Sequence, residues 1–125
     1  MVLSIGTDIV DVKRIEKIIE RRGERFGKRI LSPDEMIEWH EKNSSPAFLA
    51  KRFAAKEAIS KALGTGIGKH VSFQNIIIGN EANGAPKASL KHGADKEMRK
   101  FGASKLLLSI SDEREYALAF AVLSK

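Results

Sequence analysis

Residues 45 to 64 read SPAFLAKRFAAKEAISKALG, a helix with both its start and its stop written in. Ser45 can accept from the free N–H groups of the first turn, and Pro46 suits the first helical position, where a missing N–H costs no hydrogen bond. Gly64 is placed to end the helix, because without a Cβ it reaches the left-handed conformation freely. With Phe48, Leu49, Phe53, Ile59 and Leu63 apolar, the spacing predicts a helix over 46–63, the longest in the chain.

On the N-terminal side, Ser32-Pro33-Asp34-Glu35 repeats the device and adds a capping box, predicting a short helix to about Lys42. Val2 to Gly6 reads as a strand, and Asp11 can cap a helix whose apolar face is Val12, Ile15, Ile18 and Ile19. Asp8 is then expected where the strand gives way to that helix. On the C-terminal side, Val71 to Ile78 is rich in β-branched residues, Asn83-Gly84 is a turn signal, and Lys87 to Lys91 returns as a partner strand. Residues 94 to 101 read as a helix ending at Gly102. Strands over 106–110 and 116–123 follow, around the polar turn Ser111 to Glu115. The predicted order is a strand, three helices, two strands, a helix and two strands. Strands grouped in hairpins favour an α+β fold with a largely antiparallel sheet, packed with one long and several short helices, over a doubly wound parallel one.

The chain has 125 residues, enough for one domain over 1–125 with a single core. A sizeable substrate would then sit on the surface or between subunits, which makes self-association an expectation. With no Cys, disulfides, thiol nucleophiles and thiolate metal sites are excluded. No apolar run reaches the roughly 20 residues of a membrane span, and the first residues lack the basic segment of a secretory signal, so a soluble, cytoplasmic protein is expected.

The charge is unevenly placed. Lys+Arg number 22 against 16 Asp+Glu, a net +6. Residues 1–31 hold eight basic and five acidic side chains, and residues 51–70 hold five basic and one acidic, Glu57. An acidic or phosphorylated partner and a plain solvated surface are both open on charge alone.

Two carboxylates stand out. Asp8 lies in Gly6-Thr7-Asp8-Ile9-Val10 with no neighbouring charge, and reads either as a turn or cap residue or as a ligand to a cation. Glu57 has Lys61 four residues later, at the spacing of a surface ion pair of about 0.3–0.5 kcal/mol. Ala54, Ala55, Ala58 and Ala62 leave room beside that helix for a bulky group, although alanine is also the best helix former. One or two carboxylates together with substrate phosphates is how Mg²⁺ is usually held, which would set Lys61 beside the same phosphates. Gly64-Thr65-Gly66-Ile67-Gly68-Lys69 follows a helix and matches neither a Walker A loop nor a dinucleotide fingerprint. His40, His70 and His92 are too scattered for a zinc motif. Trp39 and the six Phe are not interleaved with basic residues as in single-strand or RNA readers.

Gly6-Thr7-Asp8-Ile9-Val10 with Lys13-Arg14-Ile15, the run Phe48 to Ala58, and Lys61 to Gly68 together resemble the bacterial holo-acyl-carrier-protein synthase family, the small class of 4′-phosphopantetheinyl transferases. The likeness extends in order through Arg29-Ile30-Leu31-Ser32 with Glu35, Ser72-Phe73, Gly84 with Pro86, and Ser109-Ile110-Ser111 with Tyr116-Ala117. It implies the 4′-phosphopantetheinyl transferase fold and Mg²⁺-dependent transfer of the phosphopantetheine arm of coenzyme A to a serine of apo-acyl carrier protein. It also implies a homotrimer with active sites at subunit interfaces. Carried over by residue, it gives Asp8 and Glu57 as metal ligands, and Glu57, Lys61 and Asp8 as catalytic. Arg52, Ser60, Lys61 and Gly64 fall at coenzyme-contacting positions, and Arg14, Arg21 and Arg25 at or near a basic helix for the carrier protein. Glu57 is the expected base, directly or through a metal-bound water. Two positions depart from the family: Asp112-Glu113 stand where many members have His, and Ala85 where Lys is frequent. The competing classes are a small basic nucleic-acid-binding protein, supported by charge alone, and a non-catalytic oligomeric scaffold.

Overall fold

A computed structural model describes residues 1–125. In chain order the elements are β1 (Val2–Asp11), α1 (Val12–Arg22), α2 (Glu24–Ile30), α3 (Pro33–Glu41), α4 (Pro46–Ala62), a single 3₁₀ turn (Phe73–Asn75), β2 (Ile76–Asn80), β3 (Pro86–Leu90), α5 (His92–Phe101), β4 (Lys105–Asp112) and β5 (Tyr116–Ser124). All strand pairs are antiparallel, in two sheets: β1-β5-β4 and the hairpin β2-β3. No helix is long and apolar enough to cross a membrane.

The local signals form as read. The Asp11 carboxylate accepts from Lys13 N at 2.9 Å, Ser32 and Glu35 close their capping box, and Ser45 Oγ accepts from Phe48 N. At the far end of α4, Gly64 at φ +80° lets Gly64 N donate to the Lys61 carbonyl and Thr65 N to the Ser60 carbonyl, which satisfies carbonyls left free by the last turn.

Four expectations are corrected. The chain 24–30 forms a helix, α2, that sequence patterning did not separate: Gly23 at φ +59° breaks α1 and restarts the chain at an angle. Residues 71–75 are not strand. Val71 and Phe73 are buried through the 3₁₀ turn, with Asn75 Oδ1 accepting from Ser72 N, so apolar content there reflects burial and not pairing. β1 does not stop at Gly6 but runs to Asp11, because β5 supplies partners all the way from Ser124 to Tyr116. The four alanines leave no room for a ligand. Ala54, Ala55, Ala58 and Ala62 are fully buried against the protein's own sheet and core.

That last packing places the site. A Cβ at Gly6 would overlap the Ala58 carbonyl oxygen and crowd Ala62 N, so the helix lies directly on the β1 backbone. Ser4 Oγ donates to the Ala62 carbonyl at 2.7 Å and pins the helix end. Ala117, Ala119 and Ala121 of β5 also point inward and are fully buried. Small residues on both surfaces allow α4 to sink until 11 of its 17 residues are buried, so it is a central helix and not an amphipathic surface one. The opposite face of the same sheet is apolar and uncovered: Ile5, Ile9, Leu107, Leu118 and Phe120 are between 38% and 61% exposed.

Candidate active site

Period-two alternation in β1 sends Gly6 and Val10 inward, and Asp8 between them points the same way, toward α4. Lys61, in the last turn of α4, meets it: Nζ lies 3.1 Å from Asp8 Oδ1 and donates to the Thr7 carbonyl at 3.0 Å. The helix-surface pair that the spacing of Glu57 and Lys61 also allowed does not form; Lys61 instead pairs across 53 residues, between helix and strand. Glu57, one turn earlier, stands close enough to feel both. Its carboxyl is pushed above the usual range, first by burial, then by the charge of Asp8, while Lys61 pulls it down. The Asp8 side chain is 17% exposed and that of Lys61 51%, so the cluster opens to solvent. A half-shielded carboxylate with a raised proton affinity, a second carboxylate and a mobile ammonium can accept a proton, share a hard cation and neutralise phosphate charge.

The other residues singled out by the sequence are not brought to this cluster. Ser60 is fully buried and its hydroxyl donates to the Glu57 carbonyl at 2.7 Å, one turn back in its own helix. Gly64 is exposed at the helix terminus. Arg52 lies on another side of α4, 5% exposed, with its guanidinium 4.7 Å above the Phe48 ring and Nη2 3.3 Å from Glu38 Oε2. Its Nε is buried without a partner.

Arg52 forms the floor of a pocket of about 370 Å³ between the start of α4, α3, the β2-β3 hairpin and the end of β4. Lys42, Lys51, Asn80, Pro86 and Asp112 also line it. Arg52 is the one coenzyme-contacting candidate from the sequence that lies there, together with Asp112, a departure from the family; the lining comes from separate elements with no common motif. Arg14, Arg21 and Arg25 are exposed on α1 and α2. Arg25 joins Arg22, Phe26 and Arg29 around a second cleft of about 410 Å³, and Arg22 and Arg29 were not singled out. The basic excess of residues 1–31 was the only signal for them.

The 4′-phosphopantetheinyl transferase superfamily model matches residues 4–121. The holo-[acyl-carrier-protein] synthase of Shewanella amazonensis is 50% identical over 122 residues, 98% of each chain. Among solved structures, the holo-[acyl-carrier-protein] synthase of Neisseria meningitidis superposes with a TM-score of 0.92 at 46% identity over the whole of both chains. That of Helicobacter pylori, in complex with coenzyme A, gives 0.84 at 40% identity over 96% of this chain and 99% of its own.

Proposed function

Because the chain belongs to the 4′-phosphopantetheinyl transferase superfamily, we propose that it transfers the 4′-phosphopantetheine arm of coenzyme A to a serine of apo-acyl carrier protein, releasing adenosine 3′,5′-bisphosphate. The observation that carries the chemistry is the convergence of Asp8, Glu57 and Lys61 where α4 lies on β1, with the Glu57 carboxyl pushed upward. Glu57 takes the proton of the carrier serine. The serine oxygen bonds to the phosphorus bearing the pantetheine arm as the bond from that phosphorus to the bridging oxygen breaks, and the electron pair leaves with the adenosine bisphosphate. Lys61, a flexible and half-exposed cation, moves from Asp8 to the departing phosphate.

Asp8 and Glu57 fit Mg²⁺. Both offer hard carboxylate oxygens, and the charge of Asp8 acts unfavourably on ionised Glu57, a repulsion that a shared cation relieves. No third His, Cys, Asp or Glu stands with them, so an ion held by these two carboxylates would need water and substrate phosphates as its other ligands. Held by Asp8 and Glu57, such an ion would neutralise charge that builds on the phosphate oxygens.

The working unit is a homotrimer with its sites between subunits. Arg52 and Glu57, five residues apart, differ by about 140° around the helix, so the pocket and the carboxylates open on different sides of α4. One cofactor spans both when the pocket of one copy faces the carboxylates of the next. The uncovered apolar face of β1, β4 and β5 gives such an assembly its contact surface. The whole chain, 1–125, acts as one domain built on one core cluster of 23 residues. The arginines of α1 and α2 receive the acidic carrier protein, and the use of coenzyme A supports a cytoplasmic reaction.

The test is to incubate the protein with coenzyme A, Mg²⁺ and an apo carrier protein and weigh the carrier. A gain of one phosphopantetheinyl group is expected; a folded protein that adds no mass overturns the reading.

A further inference from the structure

The pocket at the start of α4 carries a charge arrangement that the proposed reaction does not require. Lys42, Lys51 and Arg52 bring three cations to its wall, and Glu38 and Asp112 two carboxylates. Glu38 is committed to the buried Arg52. Asp112 is not so committed: it comes from the last residue of β4, its side chain is 53% exposed, and its Oδ2 stands 3.9 Å from Lys51 Nζ. An ion pair this long and this solvated is loose, and a better anion takes Lys51 from it.

We infer that Asp112 is a specificity-determining residue that lowers the affinity of this pocket for phosphorylated nucleotide. The inference rests on the proposed reading, in which one coenzyme A spans the pocket and the carboxylates, and the three cations of the pocket wall assign its adenosine bisphosphate part to the pocket. A phosphate entering beside Lys51 either displaces Asp112 or stays next to a like charge, and both oppose binding. The penalty grows with the number of phosphates on the ligand. It falls equally on coenzyme A and on the adenosine 3′,5′-bisphosphate product, which share that group, so Asp112 acts on binding and product departure and not on the chemical step.

Isothermal titration of adenosine 3′,5′-bisphosphate into the wild type, Asp112→Asn, Lys51→Met and the double variant tests this. Asp112→Asn is expected to bind the bisphosphate about threefold tighter, within the range of an exposed ion pair. The gain is smaller for adenosine 5′-monophosphate, and the KM for coenzyme A falls in parallel. In the Lys51→Met background the gain shrinks, because part of it runs through that lysine. Equal or weaker binding by Asp112→Asn overturns the inference, making Asp112 inert or a support that positions Lys51. A wild type that binds neither nucleotide overturns the pocket reading beneath it, an outcome distinct from the first.

Discussion

Lys56 and Glu35 form a buried ion pair, Nζ to Oε1 at 2.6 Å, with the lysine fully buried and the glutamate side chain 2% exposed. Every polar atom has work. Nζ also donates to the carbonyls of Ile30 and Phe73, while the Glu35 oxygens accept from Ser32 N and Ile78 N. One pair therefore joins α2, α3, α4, the 3₁₀ turn and β2. Burial lowers the lysine pKa and Glu35 opposes that shift, but three acceptors around one nitrogen require the ammonium form. Removing one partner leaves a buried charge unmatched. Lys56→Met and Glu35→Ala are each expected to lose about 3–5 kcal/mol in urea unfolding. A loss under 1 kcal/mol for both would show that the pair is replaceable.

Glu57 has a carboxyl pushed upward in the folded state. The fold then holds that proton more tightly than the unfolded chain, so stability falls as pH rises through the folded pKa and Glu57 ionises. Glu57→Gln is expected to abolish transfer yet raise Tm at pH 7 by about 1–3 °C, a small gain because solvent screens the partly exposed group. The gain should vanish below the ordinary carboxyl value of 4.5. Wild-type turnover in this variant at saturating Mg²⁺ removes Glu57 as both base and ligand.

Gly6 is the point of closest approach between β1 and α4. Ala at this position overlaps helix backbone, which has no rotamer to yield. Gly6→Ala is expected to cost at least about 3 kcal/mol, measured by chemical unfolding, and to reduce turnover because Asp8 and Lys61 ride on the two elements that separate. Undiminished stability would mean that the helix sits elsewhere.

Phe120 is 40% exposed at the middle of the uncovered sheet face, on the strand between β1 and β4. Phe120→Asp is expected to turn the proposed trimer into a monomer in sedimentation velocity and to remove transfer with it, while circular dichroism keeps the native spectrum. An active monomer would place the complete site within one chain.

The basic face of α1 and α2 should steer an acidic carrier protein. Its association rate is expected to fall steeply between low and physiological salt, with dissociation much less affected. Stopped-flow mixing checks this, and Arg21→Ala with Arg25→Ala should flatten the slope. A salt-independent rate argues against that surface.

The helix boundaries were legible because their signals are local. Ser32, Ser45, Asp11, Gly64 and Gly102 each act within a few residues through a cap bond or a positive φ. The motif residues Asp8, Glu57 and Lys61 were legible as types at a spacing, although not as a cluster. Apart from the local break at Gly23, what escaped was whatever depended on a distant partner. The strand character of Asp8 comes from β5, more than 100 residues away, and the run Lys51 to Lys61 reads as surface charge until Glu35 is seen to bury Lys56.

Sequence alone therefore determined the α+β class, the caps and stops of the helices and the identity of the chemically able side chains, since backbone preference and short-range hydrogen bonding are written in neighbouring residues. Tertiary structure alone decided which side chains meet. Lys61 turns to Asp8 instead of Glu57, the alanines of α4 receive a strand instead of a ligand, and Arg52 opens a pocket on another side of the helix. The physical reason is that contact across a fold depends on how closely two surfaces can approach, and here that distance was set by one glycine under one helix.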